Sequence, residues 1–237
     1  MVKIIDELSV FFPAYNEEKN VRKTVLDAKK VLQKIAGKWE IIIIDDGSRD
    51  KTGKISDQLA ESDRNISVVH HNPNRGYGGA LKSGFESAKY KWVAFADIDR
   101  QFDFSEIKLF IENQRQNKSD LVLGIRKERA DPFIRKLFTL VWSKILPRVM
   151  LGLKVTDYSC GFKLIKREVY KKVQPLVGEE KVTQIEMLTK AQRLGFKFSE
   201  VKVNHYPRKF GHQTGADLKV ITKSMRDLLV LWWKLRS

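Results

Sequence analysis

Two carboxylates two residues apart, Asp97 and Asp99, stand where an apolar run ends in the stretch KWVAFADIDRQFD. Residues i and i+2 of an extended chain project to the same side, so both carboxylates can face one pocket. Hard oxygen pairs of this kind suit Mg²⁺ or Mn²⁺, ions that take one or two protein carboxylates and complete their shells with water and substrate phosphates. The chemistry this predicts is the holding of a nucleotide diphosphate. A lone DxD is otherwise a solvated turn after a strand, so the surroundings must decide.

The chain around the pair alternates strand and helix. Leu8 to Phe12 is a short apolar strand stopped by Pro13; PAYNEE follows, with Asn16 placed to cap a helix and Glu17 and Glu18 in its first turn. That helix carries Val21, Val25, Ala28, Leu32 and Ile35 at helical spacing. Glu40 to Ile44, with four consecutive isoleucines, predicts a strand buried on both faces and therefore parallel pairing, and DDGSRDKT opens the next helix. A third strand, Ile66 to Val69, leads into NRGYGGALKSGFESA and a helix from Ala80 to Lys89. Trp92 to Ala96 is the fourth strand, followed by a helix capped by Ser105 and a strand from Asp120 to Ile125. The expected fold is α/β, a single domain built on a doubly wound, mostly parallel sheet with helices on both faces. Such sheets bind ligands at the carboxyl ends of their strands. Four polar clusters fall there: Tyr15 to Glu17, Asp45 with Asp46, Asn74 to Gly79, and Asp97 with Asp99.

After Ile125 the rhythm changes. Residues 132 to 153 are apolar but carry Arg135, Lys136, Lys144 and Arg148, an amphipathic basic stretch that either covers the sheet or lies on a headgroup layer. TDYSCGFKLIK returns to a strand at Phe162 to Ile165, and a helix with Ile185, Leu188 and Leu194 ends at Gly195. The alternating segment FKFSEVKVNHY leads into PRKFGHQTG. A last helix, 216 to 235, has an apolar stripe that packs on the domain or touches lipid.

With 237 residues and 42% apolar content the chain can bury one sizeable core. No apolar run approaches the roughly 18 residues that span a bilayer, and MVKIIDEL is no signal peptide, so a cytoplasmic protein is expected. The single cysteine, Cys160, is read as a small packed residue. The net charge of +16 is unevenly placed: residues 1 to 125 carry +1, 126 to 172 carry +9 and 200 to 237 carry +5. That asymmetry points to an anionic partner, a phosphorylated lipid or a nucleic acid. A nucleic-acid module would need aromatics interleaved with basic residues on a strand platform, or a recognition helix, and neither motif is present. The glycines at 76, 78 and 79 lack GxGxxG spacing; they let backbone approach a ligand or let a helix pack closely. His70, His71 and His205 have no metal-site spacing and are read as structural, and Glu186 as facing an acceptor sugar or solvent.

Taken together, the ordered set PAYNEE, DDGSRDKT, NRGYGGALKSG, DIDRQFD, GIRKER, TDYSCGFKL and YPRKFGHQTG resembles glycosyltransferase family 2, and within it the polyprenyl-phosphate (dolichol-phosphate) mannosyl- and glucosyltransferase group. The resemblance runs from Ser9 to Gly215. It implies the glycosyltransferase A fold, a nucleotide-sugar donor, a divalent cation (Mg²⁺ or Mn²⁺), and a polyprenyl phosphate acceptor at the cytoplasmic membrane face. It further implies that Pro13, Tyr15, Glu17, Asp45, Asp46 and Gly79 line the donor nucleotide. Asp97 and Asp99 become the metal and diphosphate pair, with Gln101 beside them. Arg208 and Lys209 become diphosphate clamps, Asp157 lies beside the sugar, and Arg126 and Arg135 face the acceptor phosphate. The chain departs from the family where Arg100 and Phe102 to Phe104 replace a Gln-His-Pro-Pro type run, and where His212 to Thr214 replaces a common Ser-Lys.

The expected function is that of an inverting, metal-dependent transferase moving a hexose from UDP-glucose, or else GDP-mannose, to polyprenyl phosphate. The alternative is transfer to a saccharide or lipid hydroxyl with Asp157 as general base. The expected division is a transferase domain over 1 to 215, with a donor half to 125 and an acceptor half from 126, and a C-terminal amphipathic helix from 216. Membrane contact is expected to be peripheral.

Overall fold

A computed structural model describes residues 3–127, 146–178, 182–210 and 227–233. Seven strands form one sheet in the order β3-β2-β1-β4-β6-β5-β7. They are β1 (Ile5–Ala14), β2 (Ala36–Asp45), β3 (Ile66–His70), β4 (Trp92–Phe95), β5 (Leu121–Arg126), β6 (Lys163–Lys166) and β7 (Phe198–Val203). All neighbours pair in parallel except that β6 runs antiparallel between β4 and β5. The doubly wound, mostly parallel sheet expected from the sequence is therefore present, with one reversed strand in its second half.

Alternation along each strand divides the core between the two faces. Val10, Phe12, Ile41 and Ile43 point to one face, under α1 (Val21–Ile35), α2 (Thr52–Ser62) and α4 (Ile107–Asn117). Phe11, Ile42, Ile44, Val93 and Phe95 point to the other. That second face is covered by α3 (Gly76–Ser87), α6 (Arg167–Lys172), α7 (Val182–Arg193) and α8 (227–233), with the short α5 (Leu146–Leu151) at its margin. The four isoleucines of β2 are thus buried on both sides, as parallel pairing requires.

Three local expectations are corrected. Pro13 does not stop β1, which runs on to Ala14; pairing with β4 ends at Phe11, so the missing proline N–H leaves no gap on that side. Asn16 does not cap α1, which starts at Val21 behind Asn20. Asn16 instead adopts a left-handed φ of 56°. Its Oδ1 accepts from the Arg49 N–H and its own N–H donates to Ser48 Oγ, so it laces two loops together. Finally, the cap near Ser105 is Asp103, whose carboxylate accepts from the Ser105 N–H and starts a 3₁₀ turn (Phe104–Glu106) ahead of α4. Arg135, the basic stretch before residue 146, His212 to Thr214, and most of the C-terminal helix lie outside the described residues.

Candidate active site

The loops after β1, β2 and β4 meet where the strand order switches between β1 and β4, the position at which such sheets bind ligands. The tightest part is the loop after β4. Arg100 takes a left-handed φ of 63°, folding the chain so that the Gln101 N–H reaches Asp99 Oδ1 at 3.0 Å. The Tyr206 N–H donates to the Gln101 carbonyl at 2.8 Å, and Gln101 Nε2 donates to the Tyr206 carbonyl at 3.1 Å. Gln101 therefore ties the aspartate loop to the segment after β7. That segment carries Arg208 into the site, where its guanidinium pairs with Glu17 and lies 3.5 Å from Asp99 Oδ2. Lys209 is exposed.

Asp97 keeps partial exposure, yet protein surrounds it densely. Burial first, then the repulsion of Asp99, push its carboxyl up to about 7; burial also raises Asp99 and Glu17. Tyr77 Oη donates to Asp97 Oδ1 at 3.0 Å. On the other side a Cβ at Gly161 would fall 2.0 Å from Asp97 Oδ2, so glycine is what leaves room for the carboxylate.

The two aspartates at the end of β2, Asp45 and Asp46, are buried and held by histidines. His71 Nδ1 lies 2.6 Å from Asp46 Oδ1, which also accepts from the Arg75 N–H, and His70 Nδ1 lies 2.9 Å from Asp45 Oδ2. Both histidines, read from the sequence as structural, are bonded to these carboxylates. Tyr15 is exposed and Pro13 half-buried beside this loop. Gly79 packs against Arg75, whose Cβ would lie 2.5 Å from a Cβ at 79. A groove of about 450 Å³ along β3, lined by Asp57, Glu61, Ile66, Val68 and His70 among others, contains neither Asp97 nor Asp99.

At the end of β5, Arg126 grips Asp157 through two parallel bonds of 2.8 Å, from Nε to Oδ2 and from Nη2 to Oδ1, and also donates to Ser159 Oγ. The two residues expected near acceptor phosphate and sugar thus form one unit. Glu186 is fully buried and faces neither solvent nor the open site: its Oε2 accepts from the Gly178 N–H at 2.6 Å and Lys190 covers Oε1 at 2.7 Å. Cys160 is buried, and burial pushes its thiol up to about 11.

Tyr77, Gly161, Lys163 and Gln184 do not stand out by residue type or spacing. Lys163 is fully buried in β6; burial lowers its ammonium to about 8 despite the attraction of nearby acids. Its available signal is the setting FKL, a charge in a short strand that the antiparallel order places between two others.

The chain is similar to known proteins in sequence and in fold. A family model described as glycosyl transferase family 2 matches residues 9–174. The glycosyltransferase AglD of Haloferax volcanii is 31% identical over 97% of this chain, and the dolichyl-phosphate beta-glucosyltransferase of Dictyostelium discoideum is 32% identical over 83%. The chain spans 37% and 65% of the lengths of those two relatives. Among solved structures, glucosyl-3-phosphoglycerate synthase of Mycobacterium tuberculosis, in complex with Mn²⁺, UDP and glucosyl-3-phosphoglycerate, superposes with a TM-score of 0.71. It is 18% identical, and the match covers 97% of this chain and 79% of that one, a likeness of fold.

Proposed function

Because the chain belongs to glycosyl transferase family 2, we propose that it is an inverting, divalent-metal-dependent glycosyltransferase moving one hexose from a nucleotide sugar to polyprenyl phosphate. The observation that carries this reading is the convergence of Asp97, Asp99, Glu17 and Arg208 at the strand-order switch, next to the Arg126–Asp157 unit.

The carboxylate pair fits a divalent ion. Two crowded carboxyls, one raised to about 7 by burial and by its neighbour, lack sufficient positive charge of their own. Among the described residues no three or more His, Cys, Asp or Glu side chains gather as a metal cage. Asp97 and Asp99 would therefore supply two ligands and leave the remaining positions to diphosphate and water, the pattern usual for Mg²⁺. When bound, the ion supplies Lewis-acid charge where the diphosphate departs. The relative solved with Mn²⁺ and UDP supports the same pairing of ion and nucleotide.

The residues of the chain then divide the work. Asp45 and Asp46, fixed by their histidines, face the nucleoside with Pro13, Tyr15, Glu17 and Gly79. Arg208, joined by Lys209, exchanges its carboxylate partners for the oxygens of the leaving diphosphate, a charge-assisted bond whose loss typically costs about 3 kcal/mol of barrier. In the transfer step an acceptor phosphate oxygen forms a bond to the anomeric carbon as the bond from that carbon to the diphosphate oxygen breaks. One such displacement inverts the configuration. The attacking oxygen is already anionic, so no base is needed. The clamp on both oxygens of Asp157 supports this over the hydroxyl-acceptor alternative, since a carboxylate so engaged is a poor base. Asp157 instead steadies positive charge at the anomeric carbon, and Arg126, with Arg135 beyond the described residues, serves the acceptor phosphate.

UDP-glucose is the favoured donor, supported by the glucosyltransferase name of the Dictyostelium relative. No helix among the described residues is long and apolar enough to cross a membrane. Peripheral contact with a lipid surface at the cytoplasmic face would run through the basic second half. The test is incubation with a panel of labelled nucleotide sugars, with and without undecaprenyl phosphate and Mn²⁺. Label entering the organic phase from UDP-glucose only when lipid and ion are both present is the expected result. Label that appears only on water-soluble saccharide would overturn the acceptor assignment.

A further inference from the structure

Lys163, Gln184 and Tyr77 come from β6, α7 and α3 and form a chain of polar contacts that ends on Asp97. We propose that Lys163 is a positioning residue: through Gln184 it fixes the direction of the Tyr77 hydroxyl proton and so the placement of the Asp97 carboxylate, a role that rests on Asp97 and Asp99 being the seat of the ion.

Donor and acceptor chemistry dictates each link. A lysine ammonium has donors and no acceptor. Lys163 Nζ donates to the Cys160 carbonyl and to Gln184, so the amide atom facing it must be Oε1. The other end of the amide, Nε2, then faces Tyr77 Oη at 3.4 Å, and an NH₂ group can only donate. Tyr77 Oη accepts on that side and turns its single proton to Asp97 Oδ1, 3.0 Å away. The opposite oxygen of Asp97, Oδ2, occupies the space that a Cβ at Gly161 would take. The Tyr77 bond to Oδ1 thus tethers the carboxylate before any ligand arrives. Without the ammonium, the amide is free to rotate by half a turn; Oε1 would then compete for the Tyr77 proton and Asp97 would lose its tether. Because Lys163 and Gln184 are both buried, solvent cannot substitute for either partner.

A purely electrostatic role for Lys163 makes the opposite prediction. A cation near the ion site repels Mn²⁺, so its removal would tighten binding, whereas loss of the tether weakens it. The test is Mn²⁺ binding in the presence of UDP, followed by the electron paramagnetic resonance signal of free Mn²⁺, on variants whose circular dichroism matches wild type. Wild type should bind and Asp97→Asn should not, which checks the ion seat separately. Tyr77→Phe and Lys163→Met should each weaken binding by about tenfold or more, the usual size of an outer-sphere effect. The double variant should be no weaker than Tyr77→Phe alone, because both changes break one relay. Gln184→Glu keeps the Lys163 contact while replacing the amide donor by an acceptor, so it too should weaken binding, and it serves if Lys163→Met does not fold. Unchanged or tighter binding in Lys163→Met or Gln184→Glu, or losses that multiply in the double variant, would overturn the relay. Absence of Mn²⁺ binding by wild type would overturn the ion seat itself, and the relay with it.

Discussion

Ionising Asp97 in the fold costs stability, a cost that the proposed ion seat would account for. Its carboxyl stands at 3.8 in the unfolded reference and at about 7 in the fold. Between those values the unfolded chain releases a proton that the folded chain keeps, so stability falls as pH rises through the window and the loss is complete above about pH 7. Metal-free Asp97→Asn should therefore melt at a higher temperature than wild type at pH 8, the gap closing towards pH 4; equal melting at pH 8 would contradict the assignment. Gly161→Ala acts on the same group from the other side. The new Cβ would lie 2.0 Å from Asp97 Oδ2, and displacing that oxygen by about 1 Å should lower kcat/KM about 10²-fold. Steady-state kinetics reads this directly. The pair Asp97 and Asp99 was legible in the sequence because two carboxylates closing an apolar run state their geometry locally. Tyr77 and Gln184 were not, since 107 positions separate residues that meet only in space. Lys163 was hidden for another reason: a charge in a short strand reads as outward-facing until both neighbours of that strand are known.

At the scale of elements, the strand and helix alternation of the first half was readable because buried parallel strands are apolar throughout and the helices repeat at 3.6 residues. The misreadings share a cause. Asn16 and Ser105 have side chains suited to capping, but Asn16 is used to join the loops after β1 and β2, and Asp103 reaches the cap position first. The direction of β6 could not be read, because periodicity within a four-residue strand carries no information about orientation. That direction matters for function: the reversed strand places the loop holding Asp157, Ser159 and Gly161 at the same sheet edge as the end of β4. Arg126 then fastens this loop to β5, its side chain and that of Asp157 only 13% and 8% exposed. Arg126→Met should leave a buried carboxylate without its main partner and destabilise the fold by about 3–5 kcal/mol. Urea unfolding measures this; a loss under about 1 kcal/mol would mean that the pair does not fasten the loop.

For the molecule as a whole, charge follows the proposed division of labour. Residues 1 to 125 are nearly neutral and contain the loops that would surround the donor, whereas 126 to 172 carry +9 and would meet the anionic acceptor. Binding to anionic vesicles should accordingly be measurable by co-sedimentation at low salt and fall steeply towards 0.5 M NaCl, since screening shortens the reach of surface charge to a few ångströms. No sedimentation at low salt would rule out peripheral membrane contact. In the proposed function Asp97 and Asp99 seat an ion without which the sugar does not leave its nucleotide. The most direct test of that seat is transfer of label from UDP-glucose to undecaprenyl phosphate by wild type, by wild type with chelator, and by the Asp97→Ala, Asp99→Ala double variant. Labelled lipid is expected in the first case and none above background in the other two; full transfer by the double variant would contradict the ion seat.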